Sequence, residues 1–295
     1  MMFQNSHHII SSLFNTNILK NKLFFSFEFF PPKNLKEIQI LLKIIKKLEF
    51  LNPLFFSLTH SAKETNYCYT EKILSILLKN THIPVFPHLT GINFQKSEII
   101  QIAQKYSQYD IKKIVVLRGD ILKYSQNSQL YATDLIKILK NVNNFQFIVA
   151  AYPEIHPESK NMSEDLKNLK NKEKLGASSA ITQFFFSVEK FLLFCKKCKK
   201  SNIKLKIIPG ILPILSFKQL IHFTQLTNVH IPEKMLYFFS KYKNCPKKFE
   251  EYSIQVATNL IFELLQKNIL HFHIYTLNRI YLFSKILNKL EKMLL

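Results

Sequence analysis

Short apolar runs alternate along this chain with longer amphipathic segments. The runs read as strands at 24–29 (FFSFEF), 54–58 (LFFSL), 84–88 (PVFPH), 113–117 (KIVVL), 145–151 (FQFIVAA), 180–185 (AITQFF), 205–210 (LKIIPG) and 271–276 (HFHIYT). They are short, nearly continuous and rich in β-branched or aromatic residues, as in parallel strands covered by helices. Between the first two, Leu35, Ile38, Leu41, Leu42, Ile45 and Leu48 recur close to the 3.6-residue helical period. Similar helical patterns follow around 66–80, 96–108, 131–142, 162–175, 187–201, 216–226 and 250–268, with a last one at 279–294. Residues 227–249 read as a long irregular stretch.

Eight strand–helix units without a linker, internal repeat or low-complexity segment favour a closed (β/α)8 TIM barrel. It forms a single α/β domain over residues 22–295, after an N-terminal extension at 1–21. An open doubly wound sheet is the alternative architecture.

Composition changes this picture little. A hydrophobic fraction of 47% supports a sizeable core and excludes a disordered chain. No unbroken apolar run approaches the roughly 18 residues of a transmembrane helix. The N-terminus lacks the basic, apolar and small-residue regions of a secretory signal, so a cytoplasmic protein with no membrane partner is expected. The formal charge of +21 raises nucleic-acid binding. However, the lysines are scattered over helix faces, as at Lys43, Lys46 and Lys47, and no stripe forms. Heavy use of Lys, Asn, Ile and Phe, with four glycines and no tryptophan, points to A- and T-rich codons across the whole chain. No specific nucleic-acid partner is expected. Cys195 and Cys198 form a C-x-x-C on a helical stretch with no second ligand pair, which reads as ordinary thiols.

Candidate chemistry gathers where strands end, the face on which such barrels build active sites. Glu28, Thr59, His88, Arg118 with Asp120, Tyr152, Gln183, Gly210, and Asn278 with Arg279 occupy those exits. Among 41 basic side chains the two arginines, Arg118 and Arg279, both fall there. Their planar fork suits an anionic or planar ligand, or else a structural salt bridge. Gly119 and Gly210 would let a ligand or another backbone approach closely. Glu28 lies among phenylalanines, on the opposite strand face from Phe27 and Phe29. Burial there would raise its pKa and suit a general acid, while a buried Glu paired with a cation is the plainer reading. His88, Asp120, His156 and His273 form only a loose set for a metal-dependent hydrolase, and no metal is expected. No G-x-G-x-x-G or Walker motif is present, so a nucleotide cofactor would have to be held by other means.

Six of these segments, FSFEFFPPK, VVLRGD, AAYPEIHPE, ITQFFFSVE, IIPGILPI and FHIYTLNR, occur in order from about residue 22 to residue 280. Together they resemble methylenetetrahydrofolate reductase of the bacterial type. The resemblance implies a homo-oligomeric barrel holding FAD, which NADH or NADPH reduces, NADH in the bacterial type. The reduced flavin then passes a hydride to 5,10-methylenetetrahydrofolate, giving 5-methyltetrahydrofolate for methionine synthesis, with the two substrates alternating in ping-pong order. By this resemblance Glu28 is the general acid and Asp120 stabilises developing positive charge. FAD contacts fall to Thr59, His60, Ala62, His88, Arg118, Gly119, Asp120, Tyr131, Ala132, Tyr152, His156, Asp165, Asn168 and Lys172. Folate contacts fall to Gln183, Gln219 and Arg279, with Phe223 stacking on nicotinamide or folate. This chain departs from the pattern at His60-Ser61-Ala62, where the family reads Tyr-Gly-Ala, and at Asn171, where a basic residue is usual. The loop after Asp120 also lacks the usual prolines and glycines. Another barrel flavoenzyme, of the proline dehydrogenase kind, is the competing function.

Overall fold

The computed structural model describes residues 23–60, 67–92, 94–119 and 130–295. Within them nine parallel strands form a nearly closed barrel: β1 (Phe24–Phe29), β2 (Phe55–Leu58), β3 (Val85–Thr90), β4 (Lys113–Leu117), β5 (Gln146–Ala151), β6 (Ala177–Thr182), β7 (Lys206–Ile208), β8 (Gly210–Ile211) and β9 (His271–Tyr275). Ten helices surround it: α1 (Leu35–Glu49), α2 (Tyr67–Asn80), α3 (Lys96–Gln108), α4 (Ala132–Lys140), α5 (Met162–Lys174), α6 (Val188–Lys200), α7 (Phe217–Leu226), α8 (Glu233–Tyr242), α9 (Pro246–Leu265) and α10 (Tyr281–Leu294). None among the described residues is long and apolar enough to cross a membrane.

The barrel expectation holds, and the way it closes is instructive. The strand order is β7-β6-β5-β4-β3-β2-β1-β9-β8, so the two ends of the series are β7 and β8. These are two halves of one run interrupted at Pro209, which has no N–H to give a ladder. The first half pairs with β6, through Ile208 and Ile181. The second pairs with β9, through Gly210 and His273. At the break, the His273 N–H donates to the Pro209 carbonyl at 2.9 Å, and the Gly210 N–H donates to Thr182 Oγ1 at 3.0 Å. A side chain thus takes over where the ladder fails.

Alternation along each strand divides the core in two. Outward residues such as Phe25, Phe27, Phe29, Phe56, Val116, Val149, Phe272 and Ile274 join the helices in the main apolar cluster. Inward residues Phe55, Phe86, Val115, Ile148, Ile181 and Ile208, one from each of β2 to β7, form a separate plug. On β1 and β9 the inward positions are polar instead: Ser26, Glu28, His271 and His273. Helix starts obey local chemistry as well. Asn34, Asn161, Ser187 and Ser216 each accept the backbone N–H three residues ahead, capping α1, α5, α6 and α7.

Two expectations need correction. Residues 227–249 are not irregular, because α8 and the first turn of α9 lie there. Consecutive apolar residues at 235–239 blur the helical period, yet Phe239 is fully buried and its ring packs tilted against Phe249 at 5.1 Å. The sixth strand begins at Ala177 and ends at Thr182, three residues earlier than read, since Ser178 and Ser179 dilute its apolar signal.

At Gly210 the close approach anticipated for a ligand or another backbone is made by protein, by the Thr182 carbonyl and the Tyr275 ring. A Cβ there would lie 2.6 Å from the Tyr275 ring and closer still to the Thr182 carbonyl. Gly210→Ala is therefore expected to destabilise by about 1–3 kcal/mol or more, the usual cost of overpacking. A urea midpoint unchanged from wild type would show that the closing strand yields freely.

Candidate functional site

The inward polar positions of β1 and β9 build upward from the barrel floor. Ser26 Oγ lies 3.0 Å from His271 Nε2 and 2.8 Å from His273 Nδ1, bridging two buried rings. One step further along β1, Glu28 Oε2 lies 3.6 Å from His88 Nε2 on β3 and 3.7 Å from His273 Nε2 on β9. The Glu28 side chain is only 15% exposed. Registers explain the meeting, since Glu28 aligns with Ser57 on one side and Tyr275 on the other. Tyr275 is fixed in turn by donating to the Thr182 carbonyl at 2.7 Å.

Electrostatics favour the neutral acid. Burial raises the Glu28 pKa above the ordinary carboxylate value, and His88 opposes this more weakly. That opposition depends on a charged imidazole, yet burial lowers His88 to about 4 and His273 to about 3. Near neutral pH Glu28 therefore has two uncharged neighbours and no fixed cation among its described partners. Its ion-pair partners among the described residues are these two imidazoles, whose charged forms burial disfavours.

A second group surrounds the exits of β4 and β5. Arg118 pairs with Glu158 and lies 6.0 Å from the Tyr131 ring. His156 packs edge-on to Tyr152 at 4.5 Å, accepts the Glu158 backbone N–H through Nδ1, and gives its backbone N–H to Asp165 at 3.0 Å. Lys172 reaches back from α5 to donate to the Ala150 carbonyl at 3.2 Å. Burial lowers its pKa, against a raising influence from Asp165. Arg118 and Lys172 thus bring positive groups to one side of the mouth, with the His156 ring beside them. The salt-bridge reading of Arg118 is realised in this state.

Between the two groups lie polar atoms with no hydrogen-bond partner among the described residues: Ser57 Oγ, Thr59 Oγ1 and His88 Nε2. Buried polar atoms are rarely left so without a ligand or water to satisfy them. His60 faces Thr90, 3.4 Å from its Oγ1, and packs on Phe94 at 5.1 Å. Gly119 adopts a φ of +92°, with Ile92 and Thr90 where a Cβ would stand. Ala132 is buried at the start of α4, beside the more exposed Tyr131.

On the opposite side, Gln183 Oε1 accepts the Phe184 N–H at 3.0 Å and Gln219 Oε1 accepts the Leu215 N–H at 2.9 Å. Neither amide NH2 makes a hydrogen bond among the described residues. Phe223 sits on α7 against the aromatic cluster around Phe184, 6.4 Å from that ring. Asn168 and Arg279 are exposed and make no ion pair or side-chain hydrogen bond among the described residues. Asp120 and Ala62 lie outside the described residues.

The histidines do not form one metal centre. His88 and His273 converge on Glu28, whereas His156 belongs to the Tyr152–Asp165 group, and no metal-holding group occurs among the described residues. Sequence reading missed Ser26, Tyr275 and the role of His273. The signal was present in HFHIY, where outward Phe272 and Ile274 force His271, His273 and Tyr275 inward.

These groups couple stability to pH. Unfolded histidines bind protons as pH falls through about 6.5. His60 and His88 resist to about 4, and His271 and His273 to about 3. The unfolded chain then holds more protons, so stability falls with falling pH. His156 is lowered as well, while Glu28 and Asp165, both raised, work in the opposite sense but are two groups against five. The urea midpoint is expected to drop between pH 6.5 and about 4, and a flat profile would contradict these buried neutral rings.

Comparison with known proteins bears on this geometry. A family model described as methylenetetrahydrofolate reductase matches residues 13–291. A 5,10-methylenetetrahydrofolate reductase of Buchnera aphidicola subsp. Schizaphis graminum (strain Sg) is 43% identical over 261 residues, covering 88% of this chain and 89% of the relative. That of Escherichia coli (strain K12) is 41% identical over 254 residues, 86% of either chain. A solved structure from Clostridium thermocellum, of a protein that binds two copies of 5-methyl-5,6,7,8-tetrahydrofolic acid, superposes with a TM-score of 0.66. It covers 94% of this chain and 98% of its own at 20% identity, a likeness of fold.

Proposed function

We propose that this protein reduces 5,10-methylenetetrahydrofolate to 5-methyltetrahydrofolate with a bound flavin, because the chain belongs to the methylenetetrahydrofolate reductase family. Redox chemistry on a folate substrate follows from that membership. The observation that carries the mechanism is the Glu28 carboxyl, buried between two imidazoles that burial keeps neutral.

Reduction of the folate's bridging methylene requires its ring to open. One C–N bond breaks, its electron pair stays on nitrogen, and that nitrogen must take a proton because an unprotonated amine leaves poorly. Glu28 is suited to give that proton, since burial holds it on the carboxyl to higher pH than in water. The resulting iminium carbon accepts a hydride, so one proton and one hydride convert the methylene to a methyl group. FAD, when bound, supplies the hydride, having taken it from NADH or NADPH. Both substrates must reach the same reactive face, so they bind in turn. Asp120, following Arg118 and Gly119, contributes negative charge towards the developing cation.

The residues present suit FAD. Arg118 and Lys172, with His156 beside them, offer a polar, cationic edge for a pyrophosphate once Glu158 is exchanged for it, while Thr59 and His88 supply polar atoms without a hydrogen-bond partner among the described residues. Tyr131 and Tyr152 flank that edge. On the other side the free NH2 groups of Gln183 and Gln219 face folate acceptors, with Phe223 alongside and Arg279 free for its carboxylate tail. We assign the enzyme to the cytoplasm and to the supply of methyl groups for methionine.

Glu28→Gln tests the reading. It is expected to leave flavin bound and reducible by NADH in anaerobic stopped flow. Reoxidation by methylenetetrahydrofolate should fall by about 10²-fold or more, the scale of a lost general acid. Reoxidation near the wild-type rate would remove Glu28 as the acid.

A further inference from the structure

The segment that follows β9 does more than connect it to α10. Thr276 is buried, and its Oγ1 donates to the Glu28 carbonyl at 2.6 Å, with its N–H aimed at the same oxygen at 3.4 Å. Two residues on, Asn278 makes both hydrogen bonds a peptide group could make with Phe30. Its Oδ1 accepts the Phe30 N–H at 2.9 Å, and its Nδ2 donates to the Phe30 carbonyl at 2.9 Å. The Asn278 N–H closes the turn on Thr276 Oγ1 at 3.1 Å. A side-chain amide here imitates a strand, extending the β1–β9 pairing past the point where the backbone of β9 turns away.

That turn is held in an unusual conformation. Leu277 and Asn278 both have positive φ, 49° and 57°. Asparagine tolerates the left-handed region better than most residues, whereas leucine adopts it at a cost. Leu277 also packs against the aromatic cluster that includes Phe184 and Phe223. The next residue, Arg279, donates its N–H to the Thr276 carbonyl at 2.8 Å and leaves its side chain exposed. One four-residue turn therefore ties together the exit of the acid's strand, the aromatic cluster and the exposed arginine.

We infer that Asn278 is a positioning residue for Glu28, and that the Thr276–Arg279 turn fixes the acid relative to the folate side of the mouth. The inference rests on the reading of Glu28 given above. Without the latch, β1 keeps its pairing with β2, where the Thr59 N–H donates to Phe29 O at 2.8 Å, and Glu28 keeps the Thr276 bonds to its carbonyl, but Phe30 loses both of its bonds to the β9 side and the strand end above the carboxyl loosens. The carboxyl then samples more water and more orientations. Its pKa moves down towards the ordinary carboxylate value, and proton delivery becomes less well aimed.

The test uses purified flavin-loaded protein and two variants. Asn278→Gly keeps the left-handed turn without strain and deletes both bonds to Phe30. Asn278→Asp keeps an acceptor for the Phe30 N–H but loses the donor to its carbonyl. Flavin reduction by NADH and reoxidation by methylenetetrahydrofolate are followed separately against pH, together with hydrogen exchange at the Phe30 amide. For Asn278→Gly, reoxidation is expected to slow by about 10- to 10²-fold, the scale of a small misplacement of a reacting group. Its loss on the basic side should begin at lower pH, the Phe30 amide should exchange faster, and reduction by NADH should stay within about twofold of wild type. Asn278→Asp should fall between. A latch that is merely structural would slow both half-reactions alike with an unshifted pH profile, and that result overturns the inference. So does wild-type reoxidation in Asn278→Gly beside a wild type that turns over. A wild type that the folate cannot reoxidise overturns the underlying reading, and this inference with it.

Discussion

A carboxyl group held away from water keeps its proton unless a fixed cation draws it off, and the mouth of this barrel is arranged around that condition. Glu28 has histidines at 3.6 and 3.7 Å, the distance at which a charged imidazole would ionise it. Burial prevents this by making the imidazoles poorer bases than the carboxyl's surroundings would suggest, His88 at about 4 and His273 at about 3. Desolvation acts on acid and bases together, and all three are pushed towards their neutral forms. The same groups would make a conventional ion pair on the surface. Inside the barrel, burial favours the protonated carboxyl beside neutral imidazoles.

That placement follows from the two-residue period of the strands. On β1, Phe25, Phe27 and Phe29 face the helices and bind the strand into the main core, so Ser26 and Glu28 have no choice but the interior. On β9, Phe272 and Ile274 do the same for His271 and His273. These neighbouring strands give the barrel a polar side, while β2 to β7 fill the rest with Phe55, Phe86 and branched aliphatics. Closure of the ring at Pro209 and Gly210 brings Thr182 and Tyr275 together above this polar side. The break in the ladder therefore lies next to the buried Glu28 and its histidines.

Much of this was legible in the chain. Eight apolar runs located the strands, and the 3.6-residue period located most of the helices. Polar residues at strand ends marked Glu28, Thr59, His88 and Arg118. What escaped had physical causes. The helix at Glu233–Tyr242 hides in a run of consecutive apolar residues, where no single face stands out. The early start of β6 hides behind two serines. Partnerships are harder still, because they depend on register. Nothing local in YPEIHPE says that Glu158 will reach back to Arg118, or that Asn278 will bond to a backbone 248 residues away. Only once strand neighbours are known does His273 join Glu28.

The most direct measurement is an isotope-edited infrared titration of the Glu28 carboxyl in the folded protein, following its protonated C=O stretch against pH. The account predicts a titration clearly above the ordinary carboxylate value of 4.5. A midpoint at or below that value would mean that burial among neutral histidines does not hold the proton, and that the acid must be sought elsewhere.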